Sequence, residues 1–263
     1  QLQLRKYKIN FQKISHVFIS HLHGDHYFGL VGLLSTMNLL GREKELTIFG
    51  PSELEELINP MLQFGGSRLS FAVYFVRLNM TDEATIYEDE IVEVHSFPMD
   101  HKIPTCGFLI KEKPKLLKIN PQKITEYDLK IEHFKALQNA QDIILETGEI
   151  CKYQELTLPR QKALSYAYCS DTKKSLAISK NISGATVLYH EATFLIKDQK
   201  RANLTTHSTT KDAAEIAIDA KVQKLVVGHI SSRYKTNEEH LKELKQIFSN
   251  SEVAEDGMCI DLT

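Results

Sequence analysis

The chain has 263 residues and a mass of 30.0 kDa, enough for one large domain or two small ones with an ordinary core. Its composition, 42% hydrophobic and 25% charged with 12 Gly and 7 Pro, is that of a globular protein and excludes a disordered tail or a miniature disulfide scaffold. With 32 basic against 34 acidic residues there is no global basic field to attract a polyanion, so any nucleic-acid surface must be local.

The chain opens on Gln1 without a signal-peptide pattern, and residue 1 is not expected to be the biological start. A first apolar run, HVFIS (16–20), predicts a buried strand, followed by a helix over Tyr27 to Leu40. The longest uncharged run, Tyr27 to Gly41, is too short for the roughly 20 residues of a membrane span and reads as a helix buried in the fold. LTIFG (46–50) predicts the next strand, and Pro51 to Leu62 a helix with proline at its first position. FAVYFVRL (71–78) and EIVEVHSF (90–97) alternate as strands do, so the middle of the chain is expected to be partly antiparallel. Residues 111–159 break the pattern: periodicity is weak, and Lys111 to Lys135 holds seven lysines against four acidic residues, as in an excursion from the core. LSYAYCSD (164–171), TVLYHE (186–191) and KLVVGH (224–229) then predict strands. Helices are expected from Thr209 to Ala220, opened by a Thr209…Asp212 capping pair, and from Asn237 to Phe248, with Leu241, Leu244, Ile247 and Phe248 on one face. This βα alternation is that of a layered α/β protein. The four cysteines, Cys106, Cys151, Cys169 and Cys259, lie far apart with no C-x-x-C pair and read as reduced thiols.

The most informative segment is VFISHLHGDHYFGL, where a strand ends in His21, His23, Asp25 and His26 and passes into the uncharged helix. His21 and His23 project to one side of an extended strand end, and a turn at Gly24 brings Asp25 and His26 round. Four imidazole or carboxylate ligands in six residues can supply two metals, with a carboxylate placed to handle a water. Other strands end the same way. Asp171 follows one, His190 and Glu191 end another, and His229 with Ser231, Ser232 and Arg233 follows a third. Because the carboxyl ends of strands form the binding crevice of α/β sheets, these groups are expected to converge on the first cluster. His101, in FPMDHKIPTCGF, reads from the sequence equally well as a ligand or a loop residue.

The H-x-H-x-D-H pattern, with HEAT (190–193), HST (207–209) and HISSRY (229–234), resembles the metallo-β-lactamase superfamily and within it the tRNase Z family of tRNA 3′-end-processing endoribonucleases. The resemblance spans the chain and implies an αββα sandwich, taken as one domain over residues 1–263, with 111–159 inserted as a tRNA-binding exosite arm. It also implies that the N-terminal strands of the first sheet, with which family members begin, are missing here, and the family's Gly-Pro-rich arm tip has no counterpart. One zinc ion would be held by His21, His23 and His101, a second by Asp25, His26 and His229, with Asp171 bridging. Asp25 would accept the water proton, His207 would protonate the leaving 3′-oxygen, and Glu191 would orient His207. Arg233 would bind a phosphate oxygen, with Ser231 and Ser232 beside it. His16, His95, His133 and His240 are assigned to structure.

The implied function is a zinc-dependent endoribonuclease that removes the 3′ trailer from precursor tRNA, leaving a 3′-hydroxyl. The expected setting is cytoplasmic, with precursor tRNA as partner, a homodimer as the assembly, and neither membrane nor DNA involved. Two alternatives are another hydrolase of the superfamily, a cyclic-nucleotide phosphodiesterase or thioesterase with both zinc sites and no need of an arm, and an inactive RNA-binding scaffold. The intact ligand set argues against the scaffold.

Overall fold

The computed structural model describes residues 1–65 and 68–262. By contacts the chain divides into two compact units, one of Gln1–Glu88, Glu93–Ile110 and Ser165–Thr263, the other of Asp89–Val92 and Lys111–Leu164.

In the larger unit a short helix α1 (Leu2–Lys6) precedes β1 (His16–Phe18), α2 (Gly24–Leu39), β2 (Leu46–Gly50), α3 (Leu54–Phe64) and β3 (Val73–Arg77). The three strands form a parallel sheet in the order β1-β2-β3. The 71–78 run is therefore parallel to its neighbour, not part of an antiparallel pair. Helix α2 starts at Gly24, so Asp25 and His26 belong to its first turn and no separate turn precedes it. It is not enclosed on all sides: Tyr27, Leu30, Leu34 and Met37 are buried, whereas Phe28 is 63% and Leu39 84% exposed. Helix α3 begins at Leu54, whose amide bonds to Pro51 O, so Pro51 precedes the helix and Pro60 lies inside it. Three further strands follow, β4 (Ala84–Glu88), β5 (Val92–Met99) and β6 (Thr105–Glu112), with β4 and β5 antiparallel.

The smaller unit holds α4 (Pro121–Glu126), α5 (Ile131–Gln138), a two-stranded ribbon of β7 (Ile143–Ile144) and β8 (Ile150–Cys151), and α6 (Tyr153–Leu156). Asn120 caps α4 by accepting from Gln122 N, and Pro121 fits the first helical position, where no N–H is needed. Leu129, Leu137, Ile143, Cys151 and Leu156 give this unit a small core of its own.

The larger unit resumes with β9 (Ser165–Cys169), α7 (Leu176–Asn181), β10 (Val187–Glu191), α8 (Gln199–Thr205), α9 (Thr210–Asp219), β11 (Lys224–Gly228), α10 (Glu238–Ile247) and β12 (Ser251–Val253). Thr209 caps α9 as expected, accepting from Asp212 N while the Asp212 carboxylate accepts from Thr209 N. The second sheet runs β12-β11-β10-β9-β6-β5-β4, and β9 to β12 pair in parallel. Period-two alternation sets the layers. Leu46 and Ile48 of β2 pack on α2 and α3, while Phe49 stacks at 4.8 Å on Phe18 and, with it, meets Cys106 and Phe108 of the other sheet. In the second sheet Ala167, Cys169, Leu188, Leu225 and Val227 face α7, α9 and α10. The result is the αββα sandwich, with the carboxyl ends of β1, β9, β10 and β11 at one edge. No disulfide forms: Cys106, Cys151 and Cys169 are buried free thiols and Cys259 is exposed. Among the described residues no helix is long and apolar enough to cross a membrane.

Candidate metal centre

The chain leaves β1 at Phe18, and its next residues stay tied to both sheets: Ile19 N donates to Phe49 O (2.8 Å) and Cys106 N to Ser20 O (3.0 Å). That clamp delivers His21, fully buried, to the sheet edge. Two residues on, His23 is the N-cap of α2, and its Nδ1 lies 3.1 Å from His21 Nε2 and 3.2 Å from His101 Nε2. His101 arrives from the connection between β5 and β6. Asp171, buried just past β9, completes this group, its Oδ2 standing 3.7 Å from both His21 Nε2 and His101 Nε2.

The other carboxylate oxygen faces a second group. Asp171 Oδ1 is 3.4 Å from His26 Nε2 and 3.4 Å from His229 Nε2. Asp25 Oδ2 is 3.4 Å from His26 Nε2 and 3.5 Å from His229 Nε2. His229 reaches this place because the backbone beyond Gly228 turns left-handed (φ 59°) and bends its ring back over the sheet edge. All seven residues expected as ligands therefore gather in two groups, His21, His23, His101 and Asp171 in one and Asp25, His26 and His229 in the other, with Asp171 Oδ1 turned to His26 and His229 of the second.

The donor set fits divalent ions. A tetrahedral ion with bonds of about 2.0–2.1 Å sets its ligand atoms about 3.3–3.4 Å apart, and the separations above run from 3.1 to 3.7 Å. His26 Nε2 is buried with no hydrogen-bond partner, an orphan that a metal bond would satisfy. The electrostatics agree. Burial, with the neighbouring His26, pushes His21 down to about 3, and burial lowers His101 too, so both rings are neutral and keep a lone pair. For Asp171 burial is the largest influence and would raise its pKa, but the close approach of His26 and the charges of the rings around it hold it well below the carboxylate range.

Hydrogen bonds behind the rings set the tautomers. His101 Nδ1 is 2.9 Å from Thr206 O, and a carbonyl only accepts, so the proton is on Nδ1. Ser170 Oγ donates to Asp171 Oδ1 (3.4 Å) and lies 3.3 Å from His26 Nδ1; Ser20 Oγ lies 3.0 Å from His21 Nδ1. Thr193 Oγ–H donates to Glu191 Oε2 (2.8 Å), which leaves its oxygen to accept from His229 Nδ1 at 2.8 Å. In each case Nε2 is turned to the centre, as outer partners of metal-binding imidazoles commonly arrange.

Glu191, fully buried at the end of β10, receives four donors: Thr172 N (3.0 Å) and His207 Nδ1 (2.7 Å) on Oε1, Thr193 N (3.0 Å) and Thr193 Oγ on Oε2. Burial lowers the His207 pKa, but the Glu191 hydrogen bond and charge outweigh it and the net shift is upward. The His207 ring stacks 5.4 Å from His229 and stands edge-on to His101 at 5.1 Å, at the border of both ligand sets. His207 can also be grouped with Asp171 and His229 as a ligand set, but its Nδ1 is committed to Glu191.

Arg233 is exposed with its guanidinium 4.9 Å over the Phe194 ring, and Phe194 borders His207 at 6.2 Å. Ser231 holds this loop, its amide bonding to Thr193 O (3.1 Å) and its hydroxyl accepting from Arg233 Nε (3.2 Å); Ser232 is exposed beside it. One expected member does not join. His190 and Glu191 are consecutive on β10 and must face opposite sides. Glu191 takes the site side, and His190 is buried on the helix side with Nδ1 on Glu191 O. His95 bonds to Glu93 and Thr85, His16 packs on Tyr87, His133 bonds to Lys130 N, and His240 is buried against Tyr234; none enters the centre. Thr172, Thr193 and Thr206 also serve the site, and of these only Thr193, inside HEAT, carries a signal in the sequence.

Over its whole length the chain is 42% identical to a ribonuclease Z of Bacteroides fragilis, covering 86% of that protein, and 41% identical to one of Bacteroides thetaiotaomicron, covering 83%. The chain belongs to the ribonuclease Z family. Its fold is that of the human tRNase Z short form, with a TM-score of 0.69 at 23% identity over 100% of this chain and 85% of that one. Residues 1–146 also fit the family model described as anti-Pycsar protein Apyc1, a family to which the chain thereby also belongs. That match contains His21, His23, Asp25, His26 and His101 but stops before Asp171, Glu191, His207 and His229, all of which lie within the stretch shared with the ribonuclease Z relatives.

Proposed function

We infer that the protein is a metal-dependent endoribonuclease that cuts precursor tRNA after the discriminator nucleotide and removes the 3′ trailer. His21, His23 and His101 would hold one ion and Asp25, His26 and His229 a second, with Asp171 shared; zinc suits this nitrogen-rich set. When bound, such ions supply Lewis acidity and a nucleophile generated from water at neutral pH.

The chain's own groups do the rest. Asp25, its side chain 67% exposed at the rim, accepts the water proton. Arg233 neutralises a phosphoryl oxygen with its planar fork, and Ser231 and Ser232 line the same loop. As the P–O3′ bond breaks, His207 Nε2 gives its proton to the leaving oxygen while Glu191 holds Nδ1 and stabilises the charged ring. The products are a tRNA with a 3′-hydroxyl and a trailer with a 5′-phosphate. The observation that carries this reading is the buried Glu191 carboxylate 2.7 Å behind His207, a proton-donor pair at the border of two ligand sets. A small diester with a good leaving group would need no such donor.

Residues 111–159 are read as the arm that grips tRNA. Its charge is uneven: seven lysines against four acidic residues in 111–135, but one lysine against four acidic residues in 136–159. Phosphate contact therefore belongs to the first half. A cytoplasmic homodimer is the assembly we propose, following the resemblance. Incubating the metal-loaded protein with a precursor tRNA and, separately, with a cyclic mononucleotide tests the reading. A single cut at the tRNA 3′ side with little turnover of the cyclic nucleotide supports it; the reverse preference refutes it.

A further inference from the structure

Thr206 has a backbone that its residue type disfavours. It ends α8 in the left-handed region (φ 57°, ψ 46°), where a β-branched side chain is strained. Such outliers persist where the surroundings impose them and cluster at functional sites. Here the surroundings are visible. Thr206 N caps the helix on Asn203 O, His207 N donates to Ala202 O at 2.9 Å, and Thr206 O is thereby turned onto His101 Nδ1 at 2.9 Å. The Thr206 hydroxyl donates to Thr205 O (2.6 Å) and its oxygen stands 3.1 Å from the same Nδ1. The next residue is His207, held from the other side by Glu191.

From this geometry we propose that Thr206 is a positioning residue. Its left-handed backbone holds His101 in the Nδ1–H tautomer, and the same helix terminus fixes His207, so one ligand of the first ion and the proton donor are set by a single strained turn. The carbonyl, at 2.9 Å the nearer acceptor, is the acting group; the hydroxyl, with its hydrogen given to Thr205 O, offers Nδ1–H a second acceptor at 3.1 Å. The inference rests on the metal-centre part of the proposed function and is independent of the RNA substrate.

The test reads the His101 ring by imidazole nitrogen NMR in the protein freed of metal by chelation, and then titrates zinc back. Thr206→Gly accepts φ 57° freely and keeps the carbonyl; Thr206→Val removes only the hydroxyl; Thr206→Pro forbids a positive φ and turns the carbonyl away. In wild type, Thr206→Gly and Thr206→Val, the His101 proton is expected on Nδ1 and zinc affinity should change less than about threefold. In Thr206→Pro the proton should move to Nε2, and affinity at the His21/His23/His101 set should fall about 10–100-fold, the usual scale for a lost outer partner. Circular dichroism reports whether the proline variant folds. If it does not, the wild-type spectrum still decides, since a proton on Nε2 of His101 overturns the proposal without any variant. Loss in Thr206→Val equal to that in a folded Thr206→Pro also overturns it, by assigning the effect to the hydroxyl. Because no RNA is cleaved in this test, failure of the endoribonuclease reading would not alter its result.

Discussion

Glu191→Gln is nearly isosteric, yet it disturbs the site in a way the structure makes calculable. The carboxylate accepts four hydrogen bonds, two on each oxygen, and donates none. A glutamine replaces one oxygen with an NH2 group, so either amide orientation sets a donor against a backbone N–H, that of Thr172 or of Thr193. One orphaned buried N–H costs about 1–3 kcal/mol, and the lost charge-assisted bond to His207 about 1.5–3 kcal/mol. The second loss removes the partner that favours the charged ring, so it should lower the His207 pKa. The sign follows from the upward shift of His207, which makes its protonated form the one the fold favours. That contribution to stability is complete below the unfolded value of about 6.5 and disappears as pH rises through the folded value. The stability gap between wild type and variant should accordingly narrow with rising pH. Precursor-tRNA cleavage should fall by about 10²–10⁴-fold, with the deficit growing toward alkaline pH. An activated aryl phosphodiester, whose leaving group needs no proton, should be cleaved at nearly the wild-type rate. The assay is a pair of pH–rate profiles on the two substrates, with metal content measured on the same samples. Equal losses on both substrates, or an unshifted profile on tRNA, would refute the proton-donor role.

Asp171→Ala should release both ions, because its two oxygens face different ligand sets; two metals found by elemental analysis of that variant would contradict the bridging role. His207→Ala should keep its metals and lose tRNA cleavage, and a missing ion there would make His207 a ligand. Reversing the charge of Lys113, Lys115 and Lys118 should flatten the dependence of log tRNA affinity on log salt by up to about 0.9 per duplex contact removed. Reversing Glu146 and Glu149 should not weaken binding. Arg42→Ala should destabilise the fold by about 3 kcal/mol or more in denaturant titration, because the buried guanidinium serves the carbonyls of Gln12, Ile14, Lys44 and Glu45.

Much of the site is legible in the sequence because its ligands fall at strand ends. LTIFG becomes a strand over its whole length, while LSYAYCSD, TVLYHE and KLVVGH hold the shorter strands Ser165–Cys169, Val187–Glu191 and Lys224–Gly228, and Asp171, Glu191 and His229 then share one edge. Compactness made the first cluster readable: four donors within six residues, three of them imidazoles, have few other uses. What failed has definite physical causes. His190 could not join Glu191, since adjacent strand residues face opposite sides. Strands β4 and β6 escaped notice because ATIYE carries charge and TCGFLIKE follows a loop whose length only the fold fixes. Thr206 is invisible in sequence for a deeper reason: what matters there is a carbonyl and a φ angle, and threonine is among the residues least expected to adopt it.

The central claim is a metal-dependent cut in RNA made with the help of a proton donor, and mapping the 3′ end produced from one precursor tRNA tests it most directly. The account predicts a single product ending in a 3′-hydroxyl at the discriminator nucleotide, abolished by a chelator and restored by zinc. Scattered ends, a 3′-phosphate, or unchanged cleavage after the metal is removed would contradict it.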